Sequence, residues 1–447
     1  MSIDTLFNPS SIALIGASHT EEKLGGITLK NLLRFKGEVF PVNPGYNELM
    51  GLRAYHSIEE IGRPVDVVII IRPAEEVPHI IRRLKGISRY AIVMSSGFAE
   101  VGEHELQEDV KRAGKEAGIR MLGPNCMGIY NPYKRLDTFF LPYERLRRPR
   151  KGNIAVVSQS GAVISCIMSS LRESGMGVSK VIGYGNAIDI DEADIYEYLL
   201  NDKETDVVVS YIESISDGRR FIEKARLLSD KKPLIVLKSG KGEKGKSAAL
   251  SHTGRLAGRY EVFHSVLKQF GIREIEDFEG LIDSAKALSY QWARGKVQGG
   301  RRVLIITNGG GSGVLAVDEC MRQGLDVTDL PNEKRERLKA LFPHFYGINN
   351  PIDLTAQVRD EDYITVLNEL RDYYDGFLII ALPNVTGITE GLAGLMREFN
   401  SGLDKPLVFH LSPSGITKRL TILLERAGIP VYPTPERAVR GLTALLG

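Results

Sequence analysis

The chain has 447 residues, of which 43% are hydrophobic and 26% charged, the composition of a globular protein with roughly three domains. Its 58 Lys and Arg nearly balance its 56 Asp and Glu, so charge gives no overall drive toward nucleic acid or an anionic membrane. The three cysteines form no metal or disulfide pattern, no signal peptide is found, and no apolar run approaches the ~20 residues of a membrane span. We therefore expect a cytoplasmic protein.

The first predicted domain, residues 1–130, begins with a strand and a glycine turn. Ser11–Ile15 is the strand and Gly16-Ala17-Ser18 the turn, and the later apolar runs alternate with helical patterns. This alternation favours a parallel, doubly wound sheet. The turn can bind phosphate through backbone N–H groups, but the next strand ends in Val42-Asn43-Pro44 instead of the acidic residue of NAD sites. The turn thus indicates a phosphate-bearing ligand other than NAD, or a tight turn without a ligand.

Residues 131–150 contain a basic, proline-containing run and are predicted to be a solvated linker. The second domain, residues 151–295, again begins with a strand, Asn153–Val157, and a turn, Ser158–Ala162. On its own this turn is equally consistent with a helix cap.

A nucleotide-binding signature occurs later in the second domain, where Gly240–Ser247 reads G-x-x-x-x-G-K-[ST]. A true phosphate loop passes directly into a helix and usually follows the first strand of its domain. Here small residues interrupt the next stretch, and a convincing helical pattern starts only near Leu256. We therefore disfavour ATP binding by this loop.

His252 lies five residues after that signature, within Ser251-His252-Thr253-Gly254 and away from apolar neighbours. Glu213 follows the strand Asp206–Ile212, at the carboxyl edge where parallel sheets place their chemistry. A carboxylate bonded to one ring nitrogen makes the other nitrogen a better nucleophile. The alternatives are a surface histidine without a role and, for Glu213, a cap of the helix that begins near Asp217.

The third predicted domain, residues 296–447, repeats the pattern of the other two. Val303–Thr307 is its first strand, Asn308–Gly313 the glycine-rich turn and Val314–Met321 the helix. Such turns also occur without a ligand in doubly wound folds, so a contact between this turn and a substrate stays open.

Short motifs occur along the whole chain, and their combination and order are specific. They are Gly16-Ala17-Ser18, Pro41-Val42-Asn43-Pro44, Ser96-Gly97-Phe98-Ala99-Glu100, Gly123-Pro124-Asn125-Cys126-Met127-Gly128, Ser158-Gln159-Ser160-Gly161, Glu213-Ser214-Ile215-Ser216-Asp217-Gly218-Arg219, Ser251-His252-Thr253-Gly254 and Asn350-Pro351-Ile352-Asp353-Leu354-Thr355. Together they resemble the alpha subunit of the ADP-forming acyl-CoA synthetases, relatives of succinyl-CoA synthetase. The resemblance implies an α/β fold of three doubly wound domains, an N-terminal Rossmann-like CoA-binding domain followed by two flavodoxin-like domains.

The resemblance also implies roles for individual residues. His252 would be the phosphorylated histidine and Glu213 the carboxylate that holds it. The phosphoryl group would bind at the turn of Ser158, Ser160 and Gly161. Residues that would contact CoA are Gly16, Ala17, Ser18, Asn43, Ser95, Ser96 and Gly97, and those expected near the reacting thioester are Asn125 and Cys126. Arg255 replaces a small residue of the family and receives no role.

The implied reaction is acyl-CoA + phosphate + ADP ⇌ acid + CoA + ATP, through an acyl phosphate and a phosphohistidine. Because the chain shows no ATP-grasp domain, we expect ADP, ATP and Mg²⁺ mainly on a separate ATP-grasp beta subunit, in an α2β2 assembly. Acetyl is the acyl group typical of the family. The alternatives are a synthetase for a larger branched, aryl or dicarboxylic acid, and a CoA-binding regulatory module without catalysis. The presence of His252 and Glu213 disfavours the regulatory module, which needs neither residue. The third predicted domain disfavours a succinate-specific enzyme, since the alpha subunits of that class end after about two domains.

Overall fold

Short aliphatic runs form the central strands of three sheets in this computed structural model. Val67–Ile70, for example, is buried along its whole length, as expected for a strand covered by helices on both faces. The structure describes residues 3–242, 244–245, 259–297 and 299–447. It divides into two compact units, Met1–Glu276 and Asp277–Gly447.

The first unit contains two of the sheets and a small hairpin of β3 and β4. Its strands are β1 (Ser11–Ile15), β2 (Glu38–Val42), β3 (Glu48–Leu49), β4 (Leu52–Arg53), β5 (Val67–Ile70), β6 (Tyr90–Val93), β7 (Arg120–Leu122), β8 (Gly128–Asn131), β9 (Leu136–Asp137), β10 (Arg150–Ser158), β11 (Gly177–Gly183), β12 (Val207–Ile212), β13 (Leu234–Lys238) and β14 (Arg273–Ile275). Its helices are α1 (Asp4–Phe7), α2 (Leu24–Leu32), α3 (Val77–Arg83), α4 (His104–Ala117), α5 (Gly161–Glu173), α6 (Glu192–Asn201), α7 (Gly218–Ser229) and α8 (Tyr260–Gln269).

The second unit contains the third sheet. Its strands are β15 (Val303–Thr307), β16 (Gly347–Ile348), β17 (Ile352–Asp353), β18 (Gly376–Ala381), β19 (Leu407–Leu411) and β20 (Val431–Tyr432). Its helices are α9 (Phe278–Gln291), α10 (Gly310–Arg322), α11 (Asn332–Leu341), α12 (Asp360–Leu370), α13 (Gly391–Ser401), α14 (Thr417–Arg426) and α15 (Pro435–Leu446).

The parallel strands have the same order in all three sheets. The sheets read β2-β1-β5-β6-β7, β14-β13-β12-β10-β11-β8-β9 and β16-β17-β15-β18-β19-β20. When the parallel strands of each sheet are numbered in sequence, the order is 2-1-3-4-5, which reverses direction between strands 1 and 3. Ligands of doubly wound sheets bind at this switch point, outside the carboxyl ends of the strands. The prediction of doubly wound α/β domains is confirmed, and candidate sites are expected after β1 and β5, after β10 and β12, and after β15 and β18.

Residues 131–150 differ from the predicted solvated linker. They include β9, which pairs antiparallel with β8, and β8 pairs antiparallel with β11 at the edge of the second sheet. Arg148 is buried, and its Nε donates a hydrogen bond to Asp137 Oδ2 at 2.9 Å. A two-residue strand has no readable periodicity, and an isolated basic run in a sequence does not reveal a buried partner.

The division of the chain also falls earlier than the predicted boundary at residue 295. Helix α9 belongs to the second unit, where Arg437 of α15 donates to the Asp283 carboxylate at 2.7 Å. The Tyr432 hydroxyl donates to the Asp283 backbone carbonyl at 2.9 Å. An amphipathic helix does not show in its sequence which of two neighbouring sheets it covers.

Hydrogen bonds, two of them buried, join the first two sheets into one unit. Asn31 Nδ2 of α2 donates to the carbonyl of Phe139 at 2.8 Å, and Asn131 Nδ2 donates to the carbonyl of Phe7 at 3.1 Å. Arg120 at the start of β7 donates to the carboxylate of Asp189 at 2.9 Å. Within the described ranges, no helix is both long and apolar enough to cross a bilayer.

Candidate functional site

The glycine turn after β1 lies at the switch point of the first sheet. Gly16 has φ +92°, and a Cβ at this position would lie 2.1 Å from the backbone oxygen of Ile71, the residue that follows β5. A Cβ at Gly25 would lie 2.0 Å from the Gly16 oxygen. Only glycine allows these approaches, and they bring the start of α2 directly against the turn. This strand–turn–helix arrangement suits a phosphate group.

A cavity of about 190 Å³ opens beside this turn. Its lining includes Gly16, Asn43, His56, Arg72, Glu76 and Arg83. The guanidinium of Arg72 is held by Glu76, with Nε–Oε2 2.9 Å and Nη2–Oε1 2.8 Å. The second arginine of the lining, Arg83, is likewise paired with a carboxylate, that of Glu59 at 2.7 Å, so the cavity offers guanidinium donors to a phosphate-bearing ligand but no excess of positive charge. Sequence reasoning missed Arg72, although its position immediately after Ile71 places it at the end of β5.

Predicted CoA contacts on the first two loops lie close to one another. Asn43 Nδ2 donates to the carbonyl of Ala17 at 2.7 Å, which ties the end of β2 to the glycine turn. Ser18 is buried, and its Oγ accepts a hydrogen bond from the Thr20 N–H at 3.1 Å. The hydroxyl of Ser18 therefore shapes the turn.

The remaining predicted contacts follow β6 and β7 along the same sheet edge. Ser95 Oγ accepts from the Arg72 N–H at 3.2 Å, and the Ser95 carbonyl accepts from the Asn125 N–H at 2.9 Å. Ser96 is exposed, and Gly97 has φ +107°. The structure thus brings Asn125 next to the loop of Ser95, and its place near the thioester stays a prediction.

Cys126 faces the core of the first unit instead of this edge. It is 3% exposed, and its Sγ donates to the carbonyl of Val93 at 3.3 Å. Burial raises the pKa of its thiol to about 12. Of the two residues expected near the thioester, Asn125 has a partly accessible side chain, whereas Cys126 is a protonated core residue.

Glu100 connects the edge of the first sheet with that of the second. Its Oε1 accepts from the Gly97 N–H at 2.6 Å, and its Oε2 accepts from Asn186 Nδ2, which follows β11, at 2.7 Å. Burial alone would raise the pKa of Glu100, but the hydrogen bonds from Asn186 and from backbone N–H groups lower it below its usual value. A Cβ at Gly185 would lie 2.4 Å from the Asn125 oxygen, so the two loops approach without space for a side chain.

The turn after β10 lies at the switch point of the second sheet and starts helix α5. Ser158 Oγ donates to the Ser160 carbonyl at 3.0 Å and accepts from the Ser160 N–H at 3.2 Å. Ser160 is the N-cap, since its Oγ accepts from the Val163 N–H at 3.4 Å. The first turn of α5, which starts at Gly161, contains no acidic residue. The positive end of the helix dipole therefore has no acidic side chain of its own helix to neutralise it.

Glu213 follows β12 on the other side of this switch point and is 5% exposed. Gln159 Oε1 accepts hydrogen bonds from the backbone N–H groups of Glu213 and of Ser214. Asp217 itself caps α7, because its Oδ1 accepts from the N–H groups of Arg219 and Arg220 at 3.1 and 3.0 Å. The alternative that Glu213 caps this helix is therefore wrong.

The Glu213 carboxylate acts on the buried Tyr184 and on the half-buried Tyr211. Burial is the main cause that raises the pKa of both the Tyr184 and the Tyr211 hydroxyls, and the Glu213 carboxylate adds to it. Glu213 thus lies among buried polar groups at the carboxyl edge of the second sheet, where the sequence predicted a catalytic carboxylate.

Several residues of the predicted motifs lie outside the described part of the chain, among them Lys246 and Ser247 of the disfavoured nucleotide signature, the motif Ser251-His252-Thr253-Gly254, Arg255 and Leu256. These residues follow β13 in the sequence. Lys238, the last residue of β13, pairs with Ile212, the last residue of β12. In the described part of the chain, no group of three or more His, Cys, Asp and Glu side chains is arranged to hold a metal ion.

The second unit has its own switch point, after β15 and β18. Asn308 Oδ1 accepts from the Leu382 N–H at 2.8 Å, and Asn308 Nδ2 donates to the Leu382 carbonyl at 3.3 Å. Gly309 is the N-cap residue of α10, and a Cβ there would lie 2.2 Å from a methyl carbon of Leu382. The glycine-rich turn is therefore explained by close packing, and its contact with a substrate stays open.

Family models for CoA-ligase modules match three successive parts of the chain. A CoA binding domain matches residues 10–132, a succinyl-CoA ligase like flavodoxin domain matches residues 151–288, and a ligase-CoA domain matches residues 303–444. These modules define the class as a CoA ligase, in agreement with the phosphate-type turn of the first sheet.

Individual relatives show which type of CoA ligase the chain is similar to. The chain is 36% identical to the alpha subunit of ADP-forming acetate–CoA ligase II of Pyrococcus furiosus, over 99% of this chain and 97% of the relative. It is 37% identical to an ADP-forming acetate–CoA ligase of Methanocaldococcus jannaschii, of which it spans 62%. A solved structure of the dinucleotide forming acetyl-coenzyme A synthetase 1 of Ca. Korarchaeum cryptofilum, in complex with phosphate and ADP, matches with a TM-score of 0.89 and 34% identity, over 99% of this chain and 96% of that chain.

The chain belongs to the family of ADP-forming acetate–CoA ligases, and it matches an alpha subunit of that family over nearly the full length of both chains. The resemblance predicted from the sequence motifs is confirmed.

Proposed function

We propose that this chain is the alpha subunit of an ADP-forming acetyl-CoA synthetase, which converts acetyl-CoA, phosphate and ADP to acetate, CoA and ATP. The observation that carries the proposal is the bond between Glu100 and Asn186 at 2.7 Å. It joins the carboxyl edges of the two sheets of the first unit, so the phosphate-type turn at Gly16 and the switch point with Glu213 belong to one continuous edge. We infer that a thioester bound at the first sheet reaches the phosphoryl site at the second across this junction.

The CoA moiety is common to the substrate acetyl-CoA and the product CoA, and the first sheet offers features that fit its phosphates. The backbone of the Gly16 turn lies against the start of α2, and Arg72 lies beside it in the same cavity. We assign contacts with CoA to Gly16, Ala17, Ser18, Asn43, Ser95, Ser96 and Gly97. Asn125 lies where the sheets meet and is assigned to the thioester carbonyl.

Two displacements convert the thioester to a phosphohistidine in this proposal. An oxygen of phosphate attacks the thioester carbonyl, the C–S bond breaks, and the CoA thiolate leaves and takes up a proton. A ring nitrogen of His252 then attacks the phosphorus of the acetyl phosphate, and the P–O bond to the acetyl group breaks and releases acetate. The start of α5, with Ser158, Ser160 and Gly161, stabilises the negative oxygens of the phosphoryl group through backbone N–H groups and the helix dipole.

Glu213 is assigned the carboxylate that orients the imidazole and stabilises its positive charge after phosphorylation. The final transfer to ADP uses Mg²⁺ and a nucleotide site on a partner, which we propose to be an ATP-grasp beta subunit in an α2β2 assembly. The phosphoryl group supplied at His252 is the product of this chain and the substrate of the partner.

Incubation with ATP, Mg²⁺ and the beta subunit tests the proposal directly. The chain should gain one acid-labile phosphoryl group, seen as an added phosphate in the intact mass. His252→Asn should abolish the gain. Glu213→Gln should slow it by about ten- to a hundredfold, because a hydrogen bond to a charged group contributes about 1.5–3 kcal/mol and ~1.36 kcal/mol is tenfold in rate. Acid-labile phosphate on His252→Asn would show that the assignment is wrong.

Calorimetry separates the enzyme from the regulatory module. We expect the chain alone to bind CoA and not ATP. In a separate rate assay, the assembled enzyme should form acetyl-CoA faster than CoA esters of a branched, an aryl or a dicarboxylic acid. Binding of CoA without any phosphorylation in the presence of the partner would favour the regulatory module. Tight ATP binding that Lys246→Ala abolishes would restore the nucleotide-loop interpretation.

A further inference from the structure

A buried lysine lies directly beside Glu213. Lys238 is the last residue of β13 and pairs in register with Ile212, the last residue of β12. It is only 4% exposed, and its Nζ donates hydrogen bonds to the carbonyl of Glu213 at 2.7 Å and to the carbonyl of Ser239. The ammonium thus reaches sideways across the end of the sheet to the main chain of the neighbouring strand.

Side chains hold the Glu213 backbone at both of its polar groups. The N–H is bound by Gln159 of the turn before α5, and the carbonyl is bound by Lys238 of β13. The ammonium also lies 5.9 Å from the centroid of the Phe263 ring, on α8. Strand β13 and helix α8, which precede and follow His252 in the sequence, therefore meet at the Lys238 ammonium.

Packing alone does not require a charge at this position. Placing an ammonium inside a protein has a desolvation cost that an aliphatic residue would avoid, and the cost is offset only when the N–H donors find good acceptors. Here the acceptors include two main-chain carbonyls, and one of them belongs to Glu213, the proposed catalytic carboxylate residue. The hydrogen bond from the Lys238 ammonium to the Glu213 carbonyl therefore holds the main chain of Glu213 in position.

We propose that Lys238 is a positioning residue for phosphoryl transfer, which fixes the Glu213 backbone so that its carboxylate meets the imidazole in a productive orientation. This inference rests on the proposed function of Glu213. Lys238 touches neither substrate nor reacting atoms in this role, and its effect passes through Glu213.

A double-mutant cycle tests the connection. Lys238→Met should slow phosphorylation of His252 by about ten- to fiftyfold in the wild-type background, without a change in CoA affinity. In the Glu213→Gln background, the same substitution should slow the reaction less than about twofold, because the carboxylate that it positions is already absent. Equal slowing in both backgrounds, or a wild-type rate for Lys238→Met, would overturn the proposal.

Lys180→Met is the matched control for the loss of a buried ammonium. Lys180 lies on β11, is fully buried, and donates to Asp202 at 2.7 Å and to Glu204 at 2.8 Å, among groups that the proposed chemistry does not use. It should lower the stability of the fold and leave the phosphorylation rate per folded molecule within about twofold. Slowing by Lys180→Met as strong as by Lys238→Met would assign the effect to general destabilisation and count against the proposal.

Hydrogen exchange tests the placement independently of the reaction. In the full-length chain, Lys238→Met should raise amide exchange in peptides that contain Glu213 and Ser214, whereas Lys180→Met should not. If Lys238→Met fails to fold, Lys238→Gln keeps an N–H donor and should show a smaller increase. Unchanged exchange at Glu213 would overturn the anchoring role, whereas a wild-type enzyme that never phosphorylates His252 would overturn the proposed function instead.

Discussion

Gln159 holds Glu213 through the main chain: the side-chain carbonyl oxygen of Gln159 accepts a hydrogen bond from the Glu213 N–H. The same oxygen accepts from the Ser214 N–H at 2.8 Å, and the Gln159 N–H donates to the carbonyl of Tyr211 at 3.3 Å. The turn that starts α5 and the loop that carries Glu213 are therefore connected across the switch point of the second sheet. The position of the proposed phosphoryl site depends on this connection.

Gln159→Leu should slow phosphorylation of His252 by about ten- to thirtyfold. The substitution leaves two buried N–H groups without their acceptor, and an unsatisfied buried donor costs about 1–3 kcal/mol, which the loop can avoid by moving away from α5. The measurement is the single-turnover rate of phosphorylation with the partner, together with CoA binding, which should stay unchanged.

Gln291→Leu provides the matched control for this substitution. Gln159 and Gln291 are both buried, and Gln291 likewise bonds to the main chain, because its Nε2 donates to the Leu407 carbonyl at 2.6 Å. Both variants should lose stability, but only Gln159→Leu should lose rate per folded molecule. Equal rates in the two variants would contradict the role of Gln159.

The fold was predictable wherever a strand is followed by a turn and a helix. Ser11–Ile15 and Val303–Thr307 were predicted with the bounds that the structure has, because continuous aliphatic runs that end at polar turns have few other solutions. Residues 131–150 were not predictable, since β9 consists of only two residues and gains its stability from pairing with β8. Pairing between short strands depends on tertiary contacts that the local pattern does not encode.

The candidate site was predictable as a set of loops, but not as a set of contacts. Glu213 was found because it follows a strand, and the rule that parallel strands place chemistry at their carboxyl ends requires only sequence order. Lys238 obeys the same rule at the end of the next strand, and could have been found by it. The contacts of Gln159 and the inward direction of Cys126 depend on side-chain orientation, which a turn motif does not specify.

Arg72→Ala should weaken CoA binding by about ten- to thirtyfold. Arg72 lines the cavity beside Gly16, and a charge-assisted hydrogen bond to a phosphate contributes about 1.5–3 kcal/mol, part of which water recovers at this exposed position. Calorimetry on the isolated chain measures the change, and the weakening should grow smaller at high salt because screening reduces the contribution in the wild type.

Arg82→Ala is the control for Arg72→Ala. Arg82 is ten residues further along, binds Asp109 at 2.6 Å and Glu116 at 2.8 Å, and does not belong to the cavity lining. It should leave CoA affinity within about twofold. A CoA affinity that is unchanged by Arg72→Ala would place the phosphates of CoA elsewhere on the edge of the first sheet.

Alkylation of the native chain should separate its cysteines. Burial raises the pKa of the Cys126 and Cys320 thiols to about 12, so below that pH both remain thiols, and their sulfurs are also shielded from a reagent. Cys166 on α5 is exposed. Treatment of the isolated chain with iodoacetamide at pH 8 should therefore modify Cys166 alone, as read by peptide mass spectrometry. Rapid modification of Cys126 would indicate that its loop opens and would revive a direct role near the thioester.

Two buried tyrosines next to the proposed site should respond in opposite directions to the loss of their hydroxyls. Both are fully buried, but the Tyr196 hydroxyl donates to Ser210 Oγ at 2.6 Å, whereas no described atom lies within hydrogen-bond distance of the Tyr184 hydroxyl. A buried polar group without a partner costs about 1–3 kcal/mol, and its removal recovers part of that cost. Tyr196→Phe, in contrast, leaves the Ser210 hydroxyl without its donor.

We therefore expect Tyr184→Phe to raise the unfolding free energy of the first unit by up to about 1 kcal/mol and Tyr196→Phe to lower it by about 1–2 kcal/mol. Because the chain has two units, the comparison uses hydrogen exchange of the strands β10 and β12, which belong to the first unit, instead of a single melting temperature. Both substitutions remove the same atom from the same residue type within one core, so differences in volume cancel. Equal losses of protection in the two variants would show that the Tyr184 hydroxyl is hydrogen-bonded in solution and would contradict the prediction.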